Sequence, residues 1–183
     1  MQLLEITKLV TDAFERNDVR CCIVGSVASS RVGMVRATLD VDIVAALEVR
    51  HVSAWLEGLR PAFYADEELI RASLETRQSF NLIHLDTMLK VDVFPVKNRP
   101  YDRMAFSRVA TDHLPFIAAE DVLLGKLEWY RSGDETSERQ WGDVLGILST
   151  SPAFDLEYAR HWANEIGVLD LLERAEAQRG LTP

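Results

Sequence analysis

Three aspartates lie in apolar segments whose alternating pattern predicts β-strands. Over residues 38–45, Asp40 and Asp42 alternate with apolar residues. Because successive side chains of a strand point to opposite faces, both carboxylates share one face of this strand. Neighbouring carboxylates repel each other, so a lysine, an arginine or a metal ion is expected beside them. Of the metals, Mg²⁺ prefers oxygen ligands of this kind. The alternative is structural, since the same pattern is common on the solvent-facing side of an edge strand.

Asp92 is the third aspartate, and it is flanked by Val91 and Val93 in a run of strand-forming residues. Aspartate is depleted in strands, which favours a functional role, although a solvent-facing position in a hairpin is the alternative. If this strand lies beside the strand of Asp40 and Asp42, the three carboxylates share one face. Such a group can hold two metal ions, one to activate an attacking hydroxyl and one to bind a triphosphate and its leaving group.

A glycine and a serine, Gly25 and Ser26, follow a short apolar strand predicted over residues 20–24. Glycine allows a tight turn and a close approach of a phosphate to the backbone. The N–H groups at the start of the helix predicted over residues 26–31, together with the Ser26 hydroxyl, are therefore candidate ligands of phosphate oxygens. Alone this is a weak signal, because glycine after a strand usually only turns the chain.

These residues must be positioned by a sheet and its flanking helices. The spacing of apolar residues predicts helices over residues 3–17, 52–59 and 67–74, and strands over 20–24, 38–45, 80–85 and 89–96, the last two forming a hairpin. A loop is expected over 97–102 and one more short strand over 108–111. From residue 118 the pattern is helical only, with helices over 119–131, near 141–148, from Asp155 to about 167, and over 169–177. The sequence thus predicts a mixed α/β core domain over residues 1–117 and a C-terminal helical segment over residues 118–183, packed on the core.

The composition indicates a globular, acidic chain. It has 183 residues, of which 48% are hydrophobic and 27% charged, so a sizeable core is expected. The formal net charge of −9 disfavours non-specific nucleic-acid binding, because phosphate contacts need clustered Lys and Arg. Neither a membrane span nor a signal peptide is apparent, so we expect a cytoplasmic protein without a membrane partner. The adjacent Cys21 and Cys22 are expected to be buried thiols rather than a disulfide.

The order of these features resembles the signature of the polymerase-β-like nucleotidyltransferase superfamily. The Gly25-Ser26 pair is followed, after a moderate gap, by Asp40-Val41-Asp42 and later by Asp92 within an apolar strand. The resemblance is strong over residues 22–94. It extends to residues 119–148, where the family has a helical segment with a lysine and a later aspartate. The chain is shorter than the best-characterised subgroups, which have a longer helical domain after the core.

A second resemblance concerns the residues that lead into the aspartate pair. Arg36-Ala37-Thr38-Leu39-Asp40 is similar to the Arg-x-Thr-x-Asp segment of the abortive-infection (AbiEii-like) nucleotidyltransferases and of similar small bacterial proteins. Those proteins include toxin components of toxin–antitoxin pairs. The resemblance therefore adds a cognate antitoxin, or a second copy of the chain, to the partners to be considered.

Together the resemblances imply a metal-dependent nucleotidyltransferase fold and activity. A nucleoside monophosphate would be transferred from a nucleoside triphosphate to an unidentified hydroxyl or phosphate acceptor. Asp40, Asp42 and Asp92 would be the catalytic residues and the ligands of Mg²⁺ or Mn²⁺. The implied nucleotide-binding residues are Gly25, Ser26, Arg36, Thr38 and Lys126. The alternatives are a non-catalytic nucleotide-binding or toxin–antitoxin component with the same fold, and an aminoglycoside-type nucleotidyltransferase.

Four further expectations concern side chains around these motifs. Lys126 falls on the apolar stripe of its helix, so it either extends towards solvent or meets an anion. Asp143 lies one turn from Arg139, which suits a surface ion pair, and the resemblance gives Asp143 a possible role in the site. His84 is predicted on the polar face of its strand, which could bring it near Asp92, although a lone histidine is more often structural or solvated. The predicted core anchors of the helical segment are Trp129, Trp141 and Trp162.

Overall fold

A computed structural model describes residues 2–33, 38, 40–110, 113–150 and 154–179 of the chain. The chain divides into two compact units, one formed by Met1–Val27 and Ala37–Phe116 and the other by Ala28–Arg36 and Ile117–Pro183. The first unit contains every strand of the sheet, and the second unit is helical in its described part. The helix that follows the first strand begins in one unit and ends in the other.

A five-stranded mixed sheet forms the centre of the first unit. Its strands are β1 (Cys21–Val24), β2 (Asp40–Ala45), β3 (Phe63–Tyr64), β4 (Phe80–His84) and β5 (Lys90–Pro95), in the spatial order β1-β2-β5-β4-β3. β2 and β5 are parallel, whereas the other neighbouring pairs are antiparallel. The predicted hairpin of β4 and β5 is therefore confirmed, and it places β5 beside β2.

Helices alternate with these strands along the chain. They are α1 (Gln2–Glu15), α2 (Gly25–Val32), a 3₁₀ turn (Val49–His51), α3 (Val52–Glu57), α4 (Glu67–Glu75) and α5 (Pro100–Ser107). The predicted helices over 3–17, 26–31, 52–59 and 67–74 are confirmed, with ends that differ by a few residues. None of the helices in the described ranges is long and apolar enough to span a membrane.

The two faces of the sheet have opposite character. Along β2 and β5, every second side chain is buried, and those buried side chains, including Val41 and Val91, join one apolar core cluster. Trp55 of α3 lies in this cluster, stacked on Phe14 of α1 with ring centroids 4.7 Å apart. Burying each such side chain contributes about 1.5–3 kcal/mol to folding. The other face of β2 and β5 carries Asp40, Asp42, Lys90 and Asp92 near the strand starts, followed by the half-buried Val44 and Phe94.

The second unit contains four helices in its described part, α6 (Ala119–Ser132), α7 (Glu138–Thr150), α8 (Leu156–Glu165) and α9 (Leu169–Arg179). All four were expected from the spacing of apolar residues. The predicted N-cap of α8 is confirmed, because the Asp155 side chain accepts a hydrogen bond from the backbone N–H of Tyr158. One expectation is wrong: Trp129 is not a core anchor, since it is 62% exposed. Trp141 is half-buried and donates its indole N–H to Gln178 over 2.7 Å.

Two expectations about local structure in the first unit are wrong, and one short strand was not predicted. The loop expected over 97–102 is shorter, because α5 begins at Pro100. Proline is well suited to the first turn of a helix. The strand expected over 108–111 is reduced to an isolated bridge between Ala110 and Phe116, and residue 111 lies outside the described part. The strand β3 was missed, since two residues carry no periodicity.

The two cysteines are free thiols, as expected. Cys22 is buried and Cys21 is partly buried. Burial, together with the nearby charge of Glu15, raises the pKa of the Cys21 thiol to about 12. Cys21 is therefore protonated at neutral pH, which disfavours a nucleophilic role because the thiolate is the reactive form.

Candidate active site

The pairing of β2 with β5 brings the three aspartates onto one face of the sheet. Asp42 lies opposite Asp92, and Asp40 lies opposite Lys90. Neighbouring strands are about 4.8 Å apart, and directly paired residues project from the same face. Asp40, Asp42, Lys90 and Asp92 therefore form one charged group, which we call the carboxylate patch. Within it Asp40 is exposed and the other three are half-buried.

Lys90 is a member of this patch that the sequence analysis missed. Its Nζ lies 2.8 Å from Oδ2 of Asp92. The hydrogen bond to Asp92 is the largest effect on the pKa of Lys90, and with the charges of Asp92, Asp40 and Asp42 it raises that pKa above its usual value. The signal was present in the sequence, because Lys90 stands two residues before Asp92 and must share its face.

Gly25 approaches the carboxylate of Asp42 more closely than any other residue type could. Val24, the last residue of β1, pairs with Asp42, so the turn into α2 passes directly beside that carboxylate. Gly25 has a φ of +62°, and a Cβ atom built on it would lie 1.9 Å from Oδ2 of Asp42. Glycine is therefore needed here both for the left-handed backbone and for space. Ser26 follows in the first turn of α2 and is half-buried.

The residues that lead into β2 are only partly described. The Asp40 backbone N–H lies 3.4 Å from the Thr38 hydroxyl oxygen, which is a long contact close to the start of the strand. Arg36, Ala37 and Leu39 lie outside the described residues, so the expectation for Arg36 stays a prediction. The same holds for the nucleotide-binding role of Thr38.

Lys126 meets an anion, which was one of its two alternatives. Its Nζ lies 2.7 Å from Oδ2 of Asp143, and the side chains of the two residues are 10% and 6% exposed. This pair joins α6 to α7 within the helical unit. The expected surface ion pair between Arg139 and Asp143 is therefore wrong, because Asp143 is buried and bonded to Lys126. The nucleotide-binding role of Lys126 remains a prediction.

His84 does not lie near Asp92, contrary to expectation. In the register of β4 against β5, Asn81 pairs with Asp92, and His84 lies on the core side with Leu82. The His84 ring is 2.9 Å from the Thr87 hydroxyl and packs edge-on against Phe63. Asn81, an exposed amide beside Asp92, is therefore the second residue that the sequence analysis missed. Only the hairpin register could identify it.

The patch has the right chemistry for a hard divalent cation. Its oxygen donors are carboxylates on adjacent strands, and Mg²⁺ is usually bound by one or two carboxylates with substrate phosphates. In the described ranges, no group of three or more His, Cys, Asp or Glu side chains is gathered closely enough to hold a metal ion. The Lys90 ammonium group contacts Asp92 within the patch. The donors therefore fit a metal, but their present arrangement is that of an ion pair.

Solved structures of two other proteins are similar to this one. The antibiotic-resistance factor ANT(2'')-Ia is 15% identical, with a TM-score of 0.50 over 97% of this chain and 95% of that one. An antigenic nucleotidyltransferase-like protein from Paracoccidioides brasiliensis is 17% identical, with a TM-score of 0.53 over 94% of this chain and 90% of that one. The chain has a nucleotidyltransferase fold. The predicted mixed α/β nucleotidyltransferase core is thereby confirmed. No protein-family model and no curated protein sequence matches the chain.

Proposed function

We propose that this protein is a metal-dependent nucleotidyltransferase that transfers a nucleoside monophosphate from a nucleoside triphosphate to a hydroxyl or phosphate acceptor. The observation that supports the proposal most is the pairing of Asp42 with Asp92, with Asp40 on the same face. Two carboxylates side by side on parallel strands repel each other, and a bound metal ion would offset this repulsion.

The proposed reaction forms one P–O bond and breaks another. The acceptor oxygen attacks the α-phosphorus, the bond between the α-phosphorus and the bridging oxygen breaks, and pyrophosphate leaves with the bond electrons. The acceptor proton passes to the carboxylate of Asp92 and then to solvent. A bound Mg²⁺ or Mn²⁺ supplies neutralisation of the triphosphate charge and activation of the acceptor. Asp40, Asp42 and Asp92 hold the metal in this proposal.

The turn between β1 and α2 has the proposed role of binding the triphosphate. Backbone N–H groups at a helix start, and the Ser26 hydroxyl, are suitable donors to the oxygens of the β- and γ-phosphates. The close contact of Gly25 with Asp42 supports this proposal, because it would hold phosphate and metal next to each other. Arg36, Thr38 and Lys126 are proposed as further nucleotide-binding residues on the strength of the family resemblance alone.

The decisive test compares Asp42→Asn with Asp86→Asn. Asp86 is exposed in the turn between β4 and β5, so its substitution makes the same chemical change away from the patch. Equilibrium dialysis with labelled ATP, CTP, GTP and UTP, each with and without Mg²⁺, would measure binding. We expect Mg²⁺-dependent binding in the native protein and in Asp86→Asn, and a loss of at least about tenfold in Asp42→Asn. Equal binding by both variants would contradict the metal assignment.

An aminoglycoside is one candidate acceptor. The chain is similar in structure to an antibiotic-resistance factor, and its net charge of −9 suits a cationic drug. Incubation with kanamycin, ATP and Mg²⁺ should release pyrophosphate if this acceptor is correct. Release that does not depend on kanamycin would instead indicate another acceptor or hydrolysis.

The finer assignment to AbiEii-like proteins rests on the segment Arg36 to Asp40. In that case a cognate antitoxin or a second copy of the chain is the proposed partner. Expressing the chain alone and following growth, beside its Asp42→Asn variant, would test this. Growth arrest that needs Asp42 supports a catalytic toxin, whereas arrest by both forms supports a non-catalytic one.

A further inference from the structure

Lys90 contacts a carboxylate of the patch for which a bound metal ion would compete. It lies opposite Asp40 across the β2–β5 pair, and its Nζ is 2.8 Å from Oδ2 of Asp92. The Lys90 side chain is 44% exposed, and that of Asp92 is 20% exposed. The lysine therefore reaches the patch from its solvent side.

The carboxylate patch carries an excess of negative charge, which a cation would reduce. Three carboxylates and one ammonium group leave a net charge of −2, and like charges placed opposite each other on paired strands are destabilising. A lysine is a compact point charge on a flexible four-carbon chain, so it can leave one oxygen and move to water without moving the backbone. An arginine or a buried lysine would not have this freedom to the same degree.

We infer that Lys90 is a positioning residue that neutralises Asp92 in the metal-free protein and is displaced from it when a divalent cation binds. This inference rests on the proposed function, because it takes the carboxylate patch as the metal site. Two consequences follow. The affinity for metal is lower than the carboxylates alone would give, and the metal-free sheet depends on Lys90 for its stability.

The first test measures Mn²⁺ binding without nucleotide, from the loss of the free-ion signal in electron paramagnetic resonance. Lys90→Met keeps the length of the side chain and removes its charge. At a separation of about 4 Å, the interaction of two unit charges in water corresponds to about a fivefold change in an equilibrium constant. We therefore expect Lys90→Met to bind Mn²⁺ at least about fivefold more tightly than the native protein. Lys90→Arg retains the charge and is harder to displace from a carboxylate, so it should bind Mn²⁺ no more tightly than the native protein.

Lys97→Met is the matched control. Lys97 is exposed two residues beyond the end of β5. At about 3.3 Å per residue it lies roughly 20 Å from Lys90, which is beyond the screening length of about 8 Å at 0.15 M salt. Lys97→Met makes the same change in net charge and should leave Mn²⁺ affinity unchanged. If Lys97→Met tightens binding as much as Lys90→Met does, the effect is one of net charge and the inference is wrong.

The second test follows the Lys90 side chain in the native protein. A variant is needed only to assign its signal. The chain has four lysines, Lys8, Lys90, Lys97 and Lys126, so carbon spectra of ¹³C-labelled lysine contain few signals. Assignment uses Lys90→Arg. On addition of Mg²⁺, the ε-carbon signal of Lys90 should shift as its ion pair with Asp92 breaks, while that of Lys8 should not.

The outcomes separate this inference from the proposed function. Metal binding by the native protein with an unmoved Lys90 signal, or with equal affinity in Lys90→Met, would overturn the inference and leave the metal site standing. If neither form binds Mn²⁺, with or without ATP, then the proposed metal-dependent function and the inference both fail.

Discussion

Among single residues, Gly25 has the most constrained environment in the candidate site. Its backbone has a φ of +62°, and the Asp42 carboxylate occupies the space where a side chain would begin. The glycine was assigned from sequence to a turn and to phosphate approach, and the structure adds the contact with Asp42. One residue therefore links the strand end, the helix start and the carboxylate patch.

A methyl group at this position should be costly. We expect Gly25→Ala to lower the free energy of unfolding by at least about 2 kcal/mol, because a left-handed backbone costs an alanine roughly 1–2 kcal/mol and the clash with Asp42 adds to it. The matched control is Gly142→Ala in α7, where no atom lies within 4 Å of the added Cβ. That change should increase stability by up to about 1 kcal/mol. Urea unfolding measures both, and equal midpoints for the two variants would refute the packing argument.

Between elements, the α6–α7 contact contains a buried ion pair. Lys126 and Asp143 come from different helices and are both almost inaccessible to solvent. The sequence did not show that Asp143 pairs with Lys126, because Arg139 lies one helical turn from Asp143 and was an equally suitable partner. The position of Asp143 on the buried side of α7 decides the matter, because a buried carboxylate needs a charged partner within reach.

Removing one partner of this pair should destabilise the helical unit. We expect Lys126→Met to cost about 3 kcal/mol, because it removes the ammonium group that lies 2.7 Å from the buried Asp143 carboxylate. The double variant Lys126→Met with Asp143→Asn should recover most of this loss, since neither position then carries a buried charge. Lys8→Met, which removes an exposed pair with Asp12, should cost less than about 1 kcal/mol. Urea unfolding tests all three, and a Lys126→Met variant as stable as Lys8→Met would show that the pair contributes nothing.

For the whole molecule, the net charge of −9 disfavours non-specific binding of polyanions such as DNA. We expect binding to a 20-base-pair DNA duplex at 0.15 M salt to be weaker than about 0.1 mM, because the 20 Lys and Arg residues are outnumbered by 29 Asp and Glu residues, which repel the phosphates. Fluorescence anisotropy of a labelled duplex measures this, with a repeat at 50 mM salt to raise sensitivity. Micromolar affinity that falls steeply with salt would contradict the expectation.

Much of the architecture was determined by the sequence alone. The order of helices and strands, the hairpin of β4 and β5, and the cap at Asp155 follow from the spacing of apolar residues and from side chains that bond to nearby backbone. Asp40 and Asp42 share a face for the same reason, since alternation along a strand is a property of the strand itself. Such features depend on residues close together in sequence, and the geometry of helices and strands is the same in all proteins. Two local elements were not predicted. β3 has only two residues, too few to show an alternating pattern, and Pro100 was assigned to a loop although it begins α5.

The tertiary structure alone decided which of these residues meet. The register of β5 against β2 places Asp92 beside Asp42, and that of β4 against β5 selects Asn81 in place of His84. A shift of one residue would have exchanged the faces, because side chains alternate with a period of two. The contact of Gly25 with Asp42 and the Lys126–Asp143 pair likewise depend on packing between distant segments. Residue types therefore indicated the chemistry, and strand register determined where its groups come together.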